Sequence, residues 1–245
     1  MFIHIHEHIK EVKQIKIAIM QPTYLPWSGF FALMSYVDKF IILDTVQFSK
    51  RSWQHRNKIK SLNGELMLTV PVKSKGLREQ KINEVQIDLS TKYNISHTKS
   101  IEQNYKKTRF YCDYSNSFNN ILINNNSNLV DLNIEIINYL KDILKIKTEV
   151  IRSSELNSFG IKDELLLSLC KELGASHYIS PAGSAIYMEK SKAFKESEIS
   201  FSYFQYNHPE YNQLYGDFIP YMSTIDLIFN EGEISMDIIK TGIEM

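Results

Sequence analysis

Residues 15–44 read Ile15-Lys16-Ile17-Ala18-Ile19-Met20, then Gln21-Pro22-Thr23-Tyr24-Leu25-Pro26-Trp27-Ser28-Gly29, then the apolar run Phe30 to Val37, and finally Lys39-Phe40-Ile41-Ile42-Leu43-Asp44. The first and last of these runs are short, apolar and rich in β-branched residues, as strands buried on both faces are. Pro22 and Pro26 keep the intervening loop out of helix until Gly29. Strand, loop, helix and strand in that order make a β-loop-α-β unit, the building block of a parallel sheet.

Outward from this unit the rhythm breaks and then returns. Thr45 to Lys60 is polar, and Asn63-Gly64 between Lys58-Ile59-Lys60 and Leu66–Val70 predicts a hairpin with a type I′ turn. Residues 82–89 read as a further strand. From about 92 to 146 there is no Gly or Pro, which predicts a helical lobe interrupted around 124–127. Glu149–Ile151 is strand-like, and Asp163–Leu173 is an amphipathic helix closed by Gly174. His177–Ser180 and Ser200–Tyr206 read as strands, with a turn at 181–184 and a helix near 189–195 between them. A helix over Tyr221–Asn230 and a short one after Gly232 end the chain. The expectation is one α/β domain over 15–245, with a mainly parallel sheet flanked by helices, a β-hairpin and the inserted lobe. Its architecture is Rossmann-like or nucleotidyltransferase-like. Residues 1–14 read as a flexible extension. His4, His6 and His8 alternate in it and would share one strand face, but no fourth ligand follows, so no metal site is expected.

Of the 245 residues 43% are hydrophobic and 23% charged, which excludes disordered and fibrous classes. Lys+Arg and Asp+Glu both number 28. A net charge of zero argues against nucleic acid or an anionic membrane as a bulk electrostatic partner. Cys112 and Cys170 lack metal-ligand spacing and read as reduced thiols. No run approaches the ~20 apolar residues of a membrane span. The N-terminus has neither a long apolar core nor a small-residue cleavage site, so a cytoplasmic location is expected. P-loop, G-x-G-x-x-G and G-x-S-x-G signatures are absent, and no cofactor is expected.

Three stretches carry residues suited to chemistry. In parallel sheets ligands bind beyond the carboxyl ends of the strands. Loop 21–29 sits there with Gln21, Tyr24, Trp27 and Ser28, and Gly29 allows close backbone approach. Class I nucleotidyltransferases place H-x-G-H at this point; here the residues are Trp27-Ser28-Gly29-Phe30, so both histidines are missing. The run Lys50 to Lys60 follows Asp44 onto the same edge. Arg51, Arg56, Lys50 and Lys58 suit a diphosphate, and Gln47, Trp53 and Asn57 suit its sugar or base. Stacking on nucleic-acid bases is the competing reading of such a run. The third stretch is Tyr206-Asn207-His208-Pro209-Glu210-Tyr211-Asn212-Gln213. His208 is the general-base candidate by residue type, with Tyr211 and Gln213 as substrate contacts. Asp44, an acid at a strand end, is the second catalytic candidate. Ser223 and Asp226 are three apart on one helix face.

These stretches together resemble the WbqC-like protein family. The resemblance runs over about residues 16–232 and rests on 17–31, Asp44 to Ile59, Thr69-Val70-Pro71-Val72, Tyr178-Ile179-Ser180, Gly183, Tyr187, the run 208–213 and Ser223 to Gly232. Residues 1–14 look additional to the family pattern, and Thr45 stands where the family tends to carry a second acid. The resemblance implies a role in surface-polysaccharide (O-antigen) assembly, where nucleotide-activated amino sugars are built and decorated. The expected activity is therefore transfer of an acyl or aminoacyl group to an amino sugar carried on a nucleotide diphosphate. The expected partners are that sugar nucleotide and an acyl or aminoacyl donor. A nucleotidyltransferase-like enzyme and a non-catalytic sugar-nucleotide binder or assembly partner are the alternatives.

Overall fold

The computed structural model describes residues 14–124, 126–184 and 188–244. The histidines of the N-terminal segment and Tyr187 lie outside them. The opening unit is β1 (Lys16–Met20), α1 (Ser28–Tyr36) and β2 (Lys39–Ile42). A hairpin follows, β3 (Arg56–Ser61) and β4 (Gly64–Thr69), then the lobe of α2 (Tyr93–Tyr105), α3 (Tyr111–Ile123) and α4 (Leu129–Ile143). The rhythm resumes with β5 (Glu149–Arg152), α5 (Asp163–Glu172), β6 (His177–Pro181), α6 (Lys192–Lys195) and β7 (Ser200–Phe204). The chain closes with α7 (Thr224–Glu231) and α8 (Ser235–Thr241).

Five strands form one sheet in the order β5-β2-β1-β6-β7, and every pairing is parallel. The α/β expectation holds, including its parallel sheet, its hairpin and its helical insertion. From β1 the chain builds outward through β2 to β5, then crosses to β6 and β7 on the other side. The order therefore reverses between β1 and β6, which is where an open parallel sheet forms a crevice at its carboxyl edge.

Side chains alternate between two cores with the period of a strand. Ala18, Phe40, Ile42 and Ile179 face α1, the hairpin and the lobe, where Ile101, Phe118 and Ile136 are buried. Ile17, Ile19, Ile41, Leu43 and Tyr178 face the opposite layer with Leu169, Cys170 and Phe194. Strands covered on both faces explain the unbroken apolar runs at 15–20 and 39–44.

Three local expectations are corrected. Helix α1 starts at Ser28 with Trp27 as its extended N-cap, because Pro26 restrains only its own φ and the residue before it. Ser28 is thus the first residue of the helix. The hairpin pairs Ser61 with Gly64, so Leu62 and Asn63 occupy the turn. Neither is left-handed, and Gly64 alone carries a positive φ of 98°. The turn is not type I′; the Ser61 hydroxyl closes it by accepting from Asn63 N and donating to Gly64 O. Residues 82–89 form no strand: Ile82–Glu84 and Leu89–Thr91 are 3-10 turns. Gln86 and Ile87 make only isolated bridges, to Asn128 and Val72. Glu84 accepting from Lys81 N and Asp88 accepting from Ser90 N wind the segment locally, as short acidic caps do.

Candidate functional site

Because the sheet is parallel, loops 21–29, 43–55, 153–162 and 205–223 leave it on one edge. Loop 21–29 is fixed from three sides. Trp53 O accepts from Tyr24 N at 3.0 Å, Asn57 Nδ2 donates to Leu25 O at 2.7 Å, and the buried Tyr24 hydroxyl meets His97 Nδ1 of α2 at 2.7 Å. Leu25 is held at φ 48°, a left-handed conformation that a bulky residue keeps only when its surroundings impose it. Gly29 has a steric reason: a Cβ there would fall 2.2 Å from the Trp27 indole. Only glycine lets that ring lie across the start of α1.

The start of α7 closes the other side. Trp27 bridges Ser223, Ser223 N donates to Lys58 O at 2.9 Å, and Thr224 N donates to Pro26 O at 2.8 Å. Between these elements lies a cavity of about 440 Å³ lined by Met20, Thr23, Trp27, Phe30, Trp53, Asn57, Lys58 and Tyr221. It opens at the carboxyl end of β1, beside the reversal of strand order. Trp27, Trp53, Asn57 and Lys58 are thus brought together as expected. Met20, Phe30 and Tyr221 were not singled out, and Thr23 Oγ1 in the lining is buried without a partner, as is Arg56 Nε, one residue before Asn57.

The rest of the basic run is organised around this cavity without lining it. Arg51, in a left-handed turn at φ 61°, donates its N–H to His55 Nε2 at 3.0 Å, while His55 Nδ1 faces Val70 O at 2.9 Å. Buried Gln54 donates to Gln21 Oε1 at 2.8 Å and accepts from Ser49 N at 2.9 Å. Gln21, Lys50 and Arg51 are exposed. Gln47 is also exposed, donating to Arg78 O at 2.7 Å, and it borders a wide depression of about 870 Å³ beyond β2 and β5. Lys58 is paired with Glu65 across the hairpin at 2.5 Å.

His208 sits behind the cavity's aromatic wall. Its imidazole is packed by Trp27, Tyr206, Tyr211, Phe218 and Tyr221. Its Nε2 meets Ser28 Oγ at 3.2 Å and its Nδ1 faces Pro209 O at 3.0 Å. Burial pulls its pKa below the ordinary value, so the ring is neutral at pH 7. Tyr211 and Gln213 spend their polar ends on Asp226, whose Oδ2 accepts from both at 2.8 Å.

The family model for WbqC-like proteins matches residues 21–238. The chain belongs to the WbqC-like protein family. The uncharacterized protein Rv1507c of Mycobacterium tuberculosis is similar to this WbqC-like chain, 35% identical over 227 residues that make up 92% of this chain and 97% of that one. No solved structure matches it.

In this WbqC-like chain Asp44 has a different setting from the one its strand-end position suggests. It is fully buried, and its carboxylate takes four donors from the end of β5 and the turn after it. Arg152 Nε (2.8 Å) and Ser154 Oγ (2.8 Å) reach Oδ2, while Ser153 Oγ (2.9 Å) and Ser154 N (3.0 Å) reach Oδ1. No lone pair is left to position a substrate, so the geometry assigns Asp44 to tying β2 to β5. Thr45, the departure from the family pattern, joins this knot through Ser153 Oγ at 3.0 Å. Asp44→Asn turns two acceptor positions into donors facing donors. A loss of about 2–4 kcal/mol in urea unfolding is expected, with unchanged ligand affinity in the material that remains folded.

The burial of His97 beside Tyr24 gives the WbqC-like fold a pH dependence. Burial holds His97 down to about 4, against about 6.5 in the unfolded chain. The folded pKa is depressed, so this contribution is fully present above pH 6.5 and is lost as pH falls through 4. Integrated over that window it amounts to roughly 3 kcal/mol. Urea midpoints are expected to fall between pH 6.5 and 4, and His97→Gln is expected to flatten that limb.

Proposed function

We propose that the protein is a transferase that adds an acyl or aminoacyl group to an amino sugar carried on a nucleotide diphosphate. The observation that carries this reading is the cavity at the carboxyl end of β1. Its flat Trp27, Trp53 and Tyr221 rings suit stacking on a base or on the apolar face of a sugar. Lys58 offers a cation for phosphate oxygens. Asn57 and the unpartnered Thr23 hydroxyl suit hydroxyl and amide groups of the ligand. Family context supports the substrate class, because the motifs resemble those of proteins from surface-polysaccharide assembly.

The nucleotidyltransferase alternative lacks its two histidines. Trp27 and Phe30 occupy those positions and wall the cavity with carbon, where that chemistry needs imidazole for phosphate. The direct test is incubation of the protein with nucleotide-linked amino sugars and acyl or aminoacyl donors, followed by mass spectrometry of the sugar nucleotide. A mass gain equal to the transferred group is expected. Tight binding with no gain under any donor would make the protein a sugar-nucleotide binder instead.

A further inference from the structure

We propose that Ser28 is the nucleophile that holds the acyl group in transit, with His208 as its base. This rests on the transferase reading only for the identity of the donor. The hydrogen-bond pattern around the pair has one consistent proton assignment. Pro209 O can only accept, so His208 Nδ1 carries the hydrogen and Nε2 presents its lone pair to Ser28 Oγ, 3.2 Å away. The Tyr206 hydroxyl donates to the same Oγ at 3.3 Å, which leaves the serine proton directed at Nε2. Both imidazole nitrogens are therefore engaged, and His208 can take a proton from substrate only by way of Ser28. A neutral base hydrogen-bonded to a hydroxyl and oriented through its other nitrogen is the arrangement that activates a serine. Here a backbone carbonyl fills the orienting place.

The position of Ser28 adds to this. It is the first residue of α1, whose first turn contains no acid, and the leading amides of a helix lack intrahelical acceptors and favour negative charge. Charge developing on an acyl carbonyl oxygen at Ser28 would meet that end of the helix. Five aromatic rings pack around the half-buried His208, and such apolar walls limit the access of water, which favours transfer to an amine over hydrolysis.

Ser28 is buried in this conformation and does not line the cavity, whereas two rings in contact with its base do. Trp27 and Tyr221 both line the cavity, contact each other at 5.4 Å and pack on His208 at 6.1 and 5.2 Å. Tyr221 is 56% exposed and held at φ 62°. A strained, exposed aromatic residue packed between the cavity and the base is suited to swing aside. The step balances simply. Ser28 Oγ attacks the carbonyl of an activated ester or thioester, its proton passes to His208, and the leaving alcohol or thiol departs with that proton. The sugar amine then attacks the acyl-serine, gives a proton to His208, and Ser28 recovers it.

A small alkyl fluorophosphonate tests the pair without any sugar nucleotide, so failure here and failure of the binding reading are separate results. The serine oxygen forms a bond to phosphorus, fluoride leaves, and the proton goes to His208. One adduct on Ser28, found by intact mass and peptide mapping, is expected in the full-length protein and absent from Ser28→Ala. His208→Gln should slow labelling by about 100-fold or more, as removal of a general base does. The wild-type rate should rise with pH through the titration of His208 and then level. Tyr221→Ala should label faster because the covering ring is gone. Absence of an adduct at Ser28 in both wild type and folded Tyr221→Ala overturns the proposal. So does labelling at an equal rate in His208→Gln, since a merely structural hydrogen bond would leave that rate and its pH profile unmoved.

Discussion

Asp226→Ala is expected to melt roughly 6–20 °C below wild type, because breaking a buried charged cluster costs about 3–5 kcal/mol and each kcal/mol is worth about 2–4 °C in a chain of this size. Asp226 is fully buried at the first turn of α7. Its Oδ1 accepts from the Tyr105 hydroxyl, and its Oδ2 from Tyr211 Oη and Gln213 Nε2, all at 2.8 Å. Lys60 of β3, also buried, feels this carboxylate and donates to Asp217 O at 2.6 Å. Burial pushes the Asp226 carboxyl up, against the pull of its three donors and Lys60; burial pulls the Lys60 ammonium down, against the charges of Asp226 and Asp217. The signs follow from these directions. A raised acid favours the fold below its unfolded pKa and loses that contribution as pH rises; a lowered amine favours it above its unfolded pKa and loses that as pH falls. The three donors and Lys60 favour the charged carboxylate, and Asp226 favours the Lys60 ammonium, so each partly offsets the cost of burying the other. Removing Asp226 alone strands Lys60 and three donors. Lys60→Met with Asp226→Asn removes both charges and should recover more than half of the loss, a coupling that a double-mutant cycle reads. A single Asp226→Ala variant within about 2 °C of wild type, less than one kcal/mol, would sink the account.

What the sequence disclosed follows a physical division. Continuous apolar runs, local turn residues and the long stretch free of Gly and Pro depend on neighbours in the chain, and from them β1, β2, the hairpin and the lobe were legible. The 82–89 segment was misread because Gln86 and Ile87 answer to single partners at Asn128 and Val72, not to a neighbouring strand. In the site, Trp27, Trp53, Asn57 and Lys58 were readable because two consecutive crossovers deliver them to one edge. Partners distant in sequence were not. Ser28 and His208 are 180 residues apart, and the donors that saturate Asp44 lie 108 to 110 residues beyond it. An acid at a strand end reads the same whether it is open or enclosed. The strain at Leu25 and Tyr221 had no signal at all, since neither residue type announces a left-handed backbone.

Trp53→Ala is expected to weaken binding of a nucleoside diphosphate sugar by about one to two decades, because stacking of a base on one aromatic ring is worth about 1–3 kcal/mol. Folding should be spared, since Trp53 is half exposed on the cavity rim. The chain's two tryptophans both line the cavity, so their emission reports its occupancy directly, and Trp53→Ala leaves Trp27 as the reporter. The basic residues should then rank by position. Lys58 lines the cavity but is held by Glu65 in a partly exposed pair, and such pairs contribute about 0–1 kcal/mol. A diphosphate can therefore draw the ammonium away. Lys58→Ala should lose about tenfold in affinity, as one charge-assisted contact to phosphate does, and Glu65→Gln should gain some by freeing the lysine. Arg56, with its Nε buried and unpartnered and next in sequence to the cavity-lining Asn57, should come second. Arg51, exposed and not part of the cavity lining, should come last. Fluorescence and calorimetric titrations of the alanine variants of Trp53, Lys58, Arg56 and Arg51 with nucleoside diphosphates and their sugars give the ranking. If Arg51→Ala loses as much as Lys58→Ala while Trp53→Ala binds like wild type, the phosphates lie on the outer face of the 50–55 loop and the cavity between the two tryptophans is not where the sugar nucleotide sits.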